Sequence, residues 1–234
     1  MVKNLAAELI DDPTFNNREL AELIVSENNP VGSIIKIEGE DDGVGYITAL
    51  PVHKYKQKSC IQQILSFVKQ TAQQQGVLSD HKTGELWQSV LKSERLGLVL
   101  NQRLLNVPDP LIPHLHLYLH KEIERCVQAG QKAYDFEYYL LITSQYTITK
   151  ALPEDDEEEV PKKKKRRVSN EPKIGTVEWY RFEEATYAEH AAAMFSCERK
   201  RTESDEDKMT LTAFTKDSCV FMVLTRDQIN KKVI

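Results

Sequence analysis

Glycine is scarce in this chain, 9 of 234 residues, and the phosphate-cradling loops that depend on it are missing. No G-x-x-x-x-G-K-[ST] run occurs, which excludes a nucleotide-triphosphate site of that type. Gly43-Val44-Gly45 is the only G-x-G. It falls at a hairpin, no helix follows it, and the third glycine of a dinucleotide fingerprint is absent. No G-x-S-x-G marks a hydrolase elbow. Cysteine is equally thin. Cys60, Cys126, Cys197 and Cys219 are widely spaced, make no C-x-x-C and sit among apolar neighbours. They read as reduced thiols packed as small core residues, not as disulfides or zinc ligands, which fits a reducing compartment, cytosol or nucleus. No run approaches the roughly 20 apolar residues that span a bilayer, and Met1-Val2-Lys3-Asn4-Leu5 lacks the apolar stretch of a secretory signal. Positive charge is not in surplus either. Lys and Arg number 31 against 36 Asp and Glu, a formal charge of −5, which argues against a surface built wholly for nucleic acid.

What the chain does have is a segregated charge block. Glu154-Asp155-Asp156-Glu157-Glu158-Glu159 is followed by Pro161-Lys162-Lys163-Lys164-Lys165-Arg166-Arg167, six anions and then six cations. From 153 to 172 there is almost no apolar residue to offset the entropy of ordering, so this stretch reads as a disordered insertion. A proline-led Lys/Arg block is the form read by nuclear import receptors. A nucleic-acid tail is disfavoured, because the acidic block competes for the cations and no aromatics interleave to stack on bases.

On either side the periodicity alternates between helix and strand. Leu5, Leu9 and Ile10 recur at helical spacing, and Leu20, Leu23 and Ile24 mark a second helix. Strands are expected over 31–38 and 44–50 with a turn between them. A helix is expected over 59–75 with Gly76 at its end, and a shorter one around Leu86, Trp87, Val90 and Leu91. A buried strand follows at 97–100. The next helix runs to about 129, with Leu111, Leu115, Leu119, Ile123 and Val127 at i,i+4 steps as its apolar stripe. A long strand covers 136–148. Beyond the insertion, a helix is expected from 177 through 190, then strands at 192–197, 209–214 and 220–224 and a terminal helix from Asp227. The short strands after the insertion cannot easily make a core alone. The reading is therefore one α/β domain over 1–234, interrupted at 153–172.

His114, His116 and His120 form the nearest approach to a metal set. His116 and His120 have the spacing of H-E-x-x-H, and Glu124 lies one turn on. Leu117, however, stands where that motif needs its glutamate, so the three read as a polar face opposite the leucine stripe. Thr202-Glu203-Ser204-Asp205-Glu206-Asp207 has the form of an acid-directed kinase site, but reads first as a charged loop tip. No carboxylate pair stands in an apolar setting. The sequence offers no catalytic residue, no cofactor site and no metal site.

Three segments carry a family resemblance: Asn29-Pro30-Val31-Gly32-Ser33-Ile34-Ile35-Lys36, then Gly97-Leu98-Val99-Leu100-Asn101-Gln102-Arg103-Leu104-Leu105-Asn106-Val107-Pro108, then Glu137-Tyr138-Tyr139-Leu140-Leu141-Ile142. In that order, with a basic insert behind the last, the chain resembles the BCCIP family. The resemblance implies a mixed, largely antiparallel sheet flanked by helices, similar to the GNAT acetyltransferases but without their catalysis. The Gly-rich turn that presents N–H groups to coenzyme pyrophosphate is absent from Pro51-Val52-His53-Lys54-Tyr55-Lys56-Gln57-Lys58. It also implies a monomeric, non-enzymatic nuclear adaptor or chaperone that shuttles to the cytoplasm. Its expected partners are transport receptors and a basic large-subunit ribosomal protein in ribosome biogenesis and nuclear export, with no membrane and no direct nucleic acid. The alternative roles are an adaptor in DNA repair and cell-cycle control and, further off, an acyltransferase. Family members carry an acidic arm ahead of the fold, whereas this chain starts almost at its first helix. If that arm shields basic cargo, either the folded acidic surface does the shielding here or the sequence is an incomplete version.

Overall fold

Residues 219–224 form an unbroken apolar run, the pattern of a strand covered on both faces, and the structure puts it at the heart of a sheet. The computed structural model describes residues 9–10, 12–39, 43–104, 107–149, 173–199 and 215–232. Among them seven strands make one sheet: β1 (Gly32–Lys36), β2 (Gly43–Pro51), β3 (Leu96–Arg103), β4 (Tyr138–Ile148), β5 (Val177–Trp179), β6 (Ala193–Glu198) and β7 (Thr215–Thr225). The order is β1-β2-β3-β4-β7-β6, with β5 beside β4 off this path. All neighbours are antiparallel except β3 and β4, which run parallel. Strands from both sides of 150–172 are hydrogen-bonded together, so one mixed α/β domain spans that segment.

Helices cover both faces. On one lie α1 (Asn17–Ile24), α2 (Ser59–Gln74) and α3 (His81–Lys92); on the other lie α4 (Ile112–Gln128), α5 (Glu183–His190) and α6 (Arg226–Lys232). The strand pleat sorts the core accordingly. Cys219, Phe221 and Val223 join Ile61, Ile64, Val68 and Trp87 in the first layer, whereas Val220, Met222 and Leu224 join Leu119, Ile123 and Ile229 in the second. Local chemistry sets the helix ends. Asn16 caps α1 by accepting the Glu19 N–H, and Asp80 caps α3 by accepting the Thr83 N–H. Behind α2, Gly76 takes φ +71°, a left-handed value that suits glycine.

Three sequence expectations change. Val177–Trp179 is a strand paired with Thr147–Gln145, so the helix begins only at Glu183. Residues 215–225 form an eleven-residue strand, which makes the C-terminal part the centre of the sheet instead of a set of short edges. The α4 stripe is also rotated. Steps of i,i+4 drift about 40° each on a helix of 3.6 residues per turn, so Leu111 and Val127 lie far apart in angle and both are exposed. The buried face is instead Ile112, His116, Leu119, His120, Ile123 and Cys126. The expected helix at 5–10 and strand at 209–214 lie largely or wholly outside the described residues.

Candidate functional site at the split between parallel strands

The one parallel pair comes apart. β3 and β4 share a ladder only from Leu96–Tyr138 to Val99–Leu141. Beyond it β3 goes on to Arg103 alongside β2, and β4 is not flanked again on that side until Gln145 meets Trp179 of β5. Between lies a wedge with Leu100 to Arg103 on one wall and Ile142 to Ser144 on the other. Backbone groups facing such a gap must be satisfied by something else or be desolvated at a cost.

Side chains from the β5–α5 corner fill it. The Arg181 guanidinium donates from Nη1 to Gln102 Oε1 at 2.8 Å, from Nη2 to Thr143 Oγ1 at 2.9 Å and from Nε to Glu184 Oε1 at 2.6 Å. One planar fork thus bridges the two walls and carries its own counter-ion. Thr143 in turn donates to the other oxygen of Glu184. All four residues are buried. Next door, on the α4 side, Glu183 receives both arms of Arg103, one at 2.9 Å, and the Asn101 amide at 2.8 Å. His116 Nδ1 pairs with the Tyr187 hydroxyl at 2.6 Å, while its Nε2 stands 3.8 Å from Glu183 Oε1, beyond hydrogen-bond reach.

Two arginines and two glutamates make the cluster neutral, yet the two carboxyls differ. Burial pushes Glu183 up, but the neighbouring His116 ring and, above all by geometry, the bidentate Arg103 reverse this and hold it below the usual carboxylate range. Burial pushes Glu184 up by more than Arg181 and Thr143 pull it down, with the Glu183 charge adding to the rise. Burial also raises the Tyr187 phenol, with Glu183 and Glu184 adding to it. One turn along α4, His120 is held down to about 4 by burial, then by His116, so its ring is neutral at physiological pH. Its Nε2 has no hydrogen-bond partner among the described residues.

The space left is small. A cavity of about 10 Å³, lined by Val99, Asn101, His116, Leu141, Ile142, Glu184 and Tyr187, has room for about one water. The carboxyls are locked onto arginines and the histidine onto a phenol. The arrangement can hold two diverging strands at a fixed separation; it offers no space for a coenzyme. No group of three or more His, Cys, Asp or Glu among the described residues could hold a metal ion.

The sequence placed none of this. His116 and His120 turn inward and are buried, against the expected polar face, while His114 stays exposed. Arg181, Glu183 and Glu184 sit in an Arg-Phe-Glu-Glu run that looks like a solvated helix start. The signal available was the pair Glu183 and Glu184, a helix start where carboxylates are favoured; nothing pointed to Arg103, roughly eighty residues away. The basic run Pro161 and Lys162 to Arg167, and Thr202 to Asp207, lie outside the described residues.

Comparison with known proteins bears on the family and the fold. Protein BCP1 of Debaryomyces hansenii is 27% identical over 216 residues, covering 88% of this chain and 69% of that protein. The BCCIP homolog of Arabidopsis thaliana is 25% identical over 154 residues, 63% of this chain and 46% of that protein. The chain spans about half the length of several other fungal relatives. The crystal structure of BCP1 from Saccharomyces cerevisiae superposes with a TM-score of 0.59 at 17% identity, over 99% of this chain and 79% of that one; at that identity it speaks to the fold. None of these names is an enzyme's. With residues 1–187 matched by the family described as BCCIP, the chain belongs to the BCCIP family.

Proposed function

We propose that this protein is a non-catalytic nuclear adaptor or chaperone whose fold is GNAT-like with the coenzyme cleft filled from within. The observation that carries the reading is Arg181. It occupies the split between β3 and β4, the place where a parallel pair joined by a helix opens a ligand crevice beyond the carboxyl ends of its strands. The approach from β3 to α4, residues 104–111, contains no glycine to bring backbone N–H groups to a pyrophosphate. A filled cleft leaves the outer surface for work. A formal charge of −5 suits a basic protein partner, and we assign as cargo a basic large-subunit ribosomal protein whose RNA-binding face would otherwise aggregate with nucleic acid. The basic run Lys162 to Arg167 would address the complex to the nucleus.

The splayed parallel pair is also the one observation that favours the opposite reading, an acyltransferase. Calorimetric titration with acetyl-coenzyme A separates the two. No binding heat is expected, and affinity in the micromolar range of ordinary substrates would overturn the non-catalytic assignment. Capture from nuclear extract should recover a ribosomal protein at low salt and lose it as salt rises. Recovery of none refutes the cargo assignment, and recovery of repair or cell-cycle proteins in its place would move it to that adaptor role.

A further inference from the structure

Two of the four cysteines stand face to face. Cys197 of β6 is the register partner of Cys219 of β7, and all four cysteines are free. The pleat puts the pair on the same face as the two pairs beside it, Phe195 with Phe221, whose rings stack at 4.7 Å, and Ala193 with Val223. Two residues beyond Cys197, the Arg199 N–H donates to Asp217 O at 3.0 Å, which marks a hydrogen-bonded pair. The antiparallel alternation therefore makes Cys197 and Cys219 a hydrogen-bonded pair as well, with a Cα separation of about 5.5 Å. That lies inside the range a disulfide spans. The Cβ atoms of such a pair must close somewhat further, which gives a strained and readily reduced bond.

The two thiols are unequal in the way a switch requires. Cys219 is buried in the first core layer, whereas Cys197 lies on the outermost strand and is partly exposed. The Cys219 thiol hydrogen-bonds to the Cys197 sulfur and, although burial opposes it, the neighbouring Arg199 charge helps bring Cys197 down to about 7. Cys60 goes the other way, pushed up to about 12 by burial and then by Glu19, and burial also raises Cys126. Thiolate character and access both single out Cys197.

We propose that Cys197 and Cys219 are an oxidative modification site, a thiol pair that mild peroxide closes into a reversible disulfide between β6 and β7. The Cys197 thiolate attacks one peroxide oxygen and the O–O bond breaks. Hydroxide leaves and takes up a proton to become water, so that sulfenic acid remains on Cys197. The Cys219 thiol then attacks the sulfenic sulfur, the S–O bond breaks and a second water departs. Two thiols are oxidised and one peroxide is reduced. The bond cross-links the edge strand to its neighbour and closes the connection 198–218 into a covalent ring. It does not depend on the adaptor reading.

The test uses the whole chain at neutral pH with hydrogen peroxide in small excess. Free thiols counted after denaturation should fall from the four in the sequence to two. Peptide mapping should find one cross-link, Cys197 to Cys219, and dithiothreitol should restore all the thiols. Peroxide should reach Cys197 about tenfold faster than Cys60 or Cys126. Cys219→Ser should trap the sulfenic acid on Cys197, where dimedone labels it. A thiol count that stays at four, a cross-link through Cys60 or Cys126, or Cys197 passing to sulfinic acid with no cross-link each overturns the proposal. Because the wild-type map decides these outcomes, none depends on the variant folding.

Discussion

Replacing Arg181 with methionine asks how much the filled wedge is worth. The side chain keeps its approximate volume and loses three hydrogen bonds, to Gln102, Thr143 and Glu184. Gln102 Oε1 is left without that donor, and Glu184 is left buried with Thr143 and no cation. Breaking a buried pair from one side costs about 3–5 kcal/mol, or roughly 8–16 °C in melting temperature for a loss near 4 kcal/mol in a chain of this size. The loss also has a pH signature. Burial already pushes Glu184 up, and without Arg181 it rises further. Between the ordinary carboxylate value and that raised one, the native state holds a proton that the unfolded chain has released, so stability falls as pH climbs through this window. The deficit of Arg181→Met relative to the parent should therefore shrink as pH falls through this window toward the ordinary carboxylate range. Changing both partners, Arg181→Met with Glu184→Leu, removes the stranded charge and should recover part of the loss. Urea denaturation followed by circular dichroism at several pH values reads all three. A deficit under about 1 kcal/mol, the size of an exposed ion pair, or one that does not change with pH, would refute the view that this cluster bridges the strands.

Two further outcomes follow. His120 is held down to about 4, so acid protonates the unfolded chain before the native one. Stability is then lost as pH falls from about 6.5 toward 4, by on the order of 3 kcal/mol for this group; His120→Leu should flatten that limb in a pH-resolved melting series, and an unchanged limb would assign the acid sensitivity elsewhere. Replacing Lys162 to Arg167 with alanine should shift a fluorescent fusion from nucleus to cytoplasm and leave the melting temperature unchanged, whereas a lowered melting temperature would make the run structural.

Element type was largely legible because the chain alternates long periodic runs. The apolar spacing of α2 and the alternation around β1 each needed only a local window. Failures came where a residue's role is set by a distant partner. Val177–Trp179 is too short to declare itself and becomes a strand only by pairing with β4. His116 looks like surface until Tyr187, 71 residues on, supplies its partner. Arg181 reaches back 79 residues to Gln102, and no local pattern carries that pairing. The facing of Cys197 and Cys219 likewise needs the register of two strands. Of the three segments that carry the family resemblance, two run along β3 and β4 in the middle of the sheet, where both faces are packed and few substitutions fit, and the third lies on the edge strand β1.

The place of β7 has a consequence for synthesis. Last in order among the described strands, it is inserted between β4 and β6 and pairs with β4 over eleven residues. Until it arrives, the nascent chain carries a long open strand edge and two half-built apolar layers, the template on which chains join one another. Productive folding thus waits for residues 215–225 to emerge, and a message cut short before residue 215 yields a polypeptide that needs a chaperone of its own.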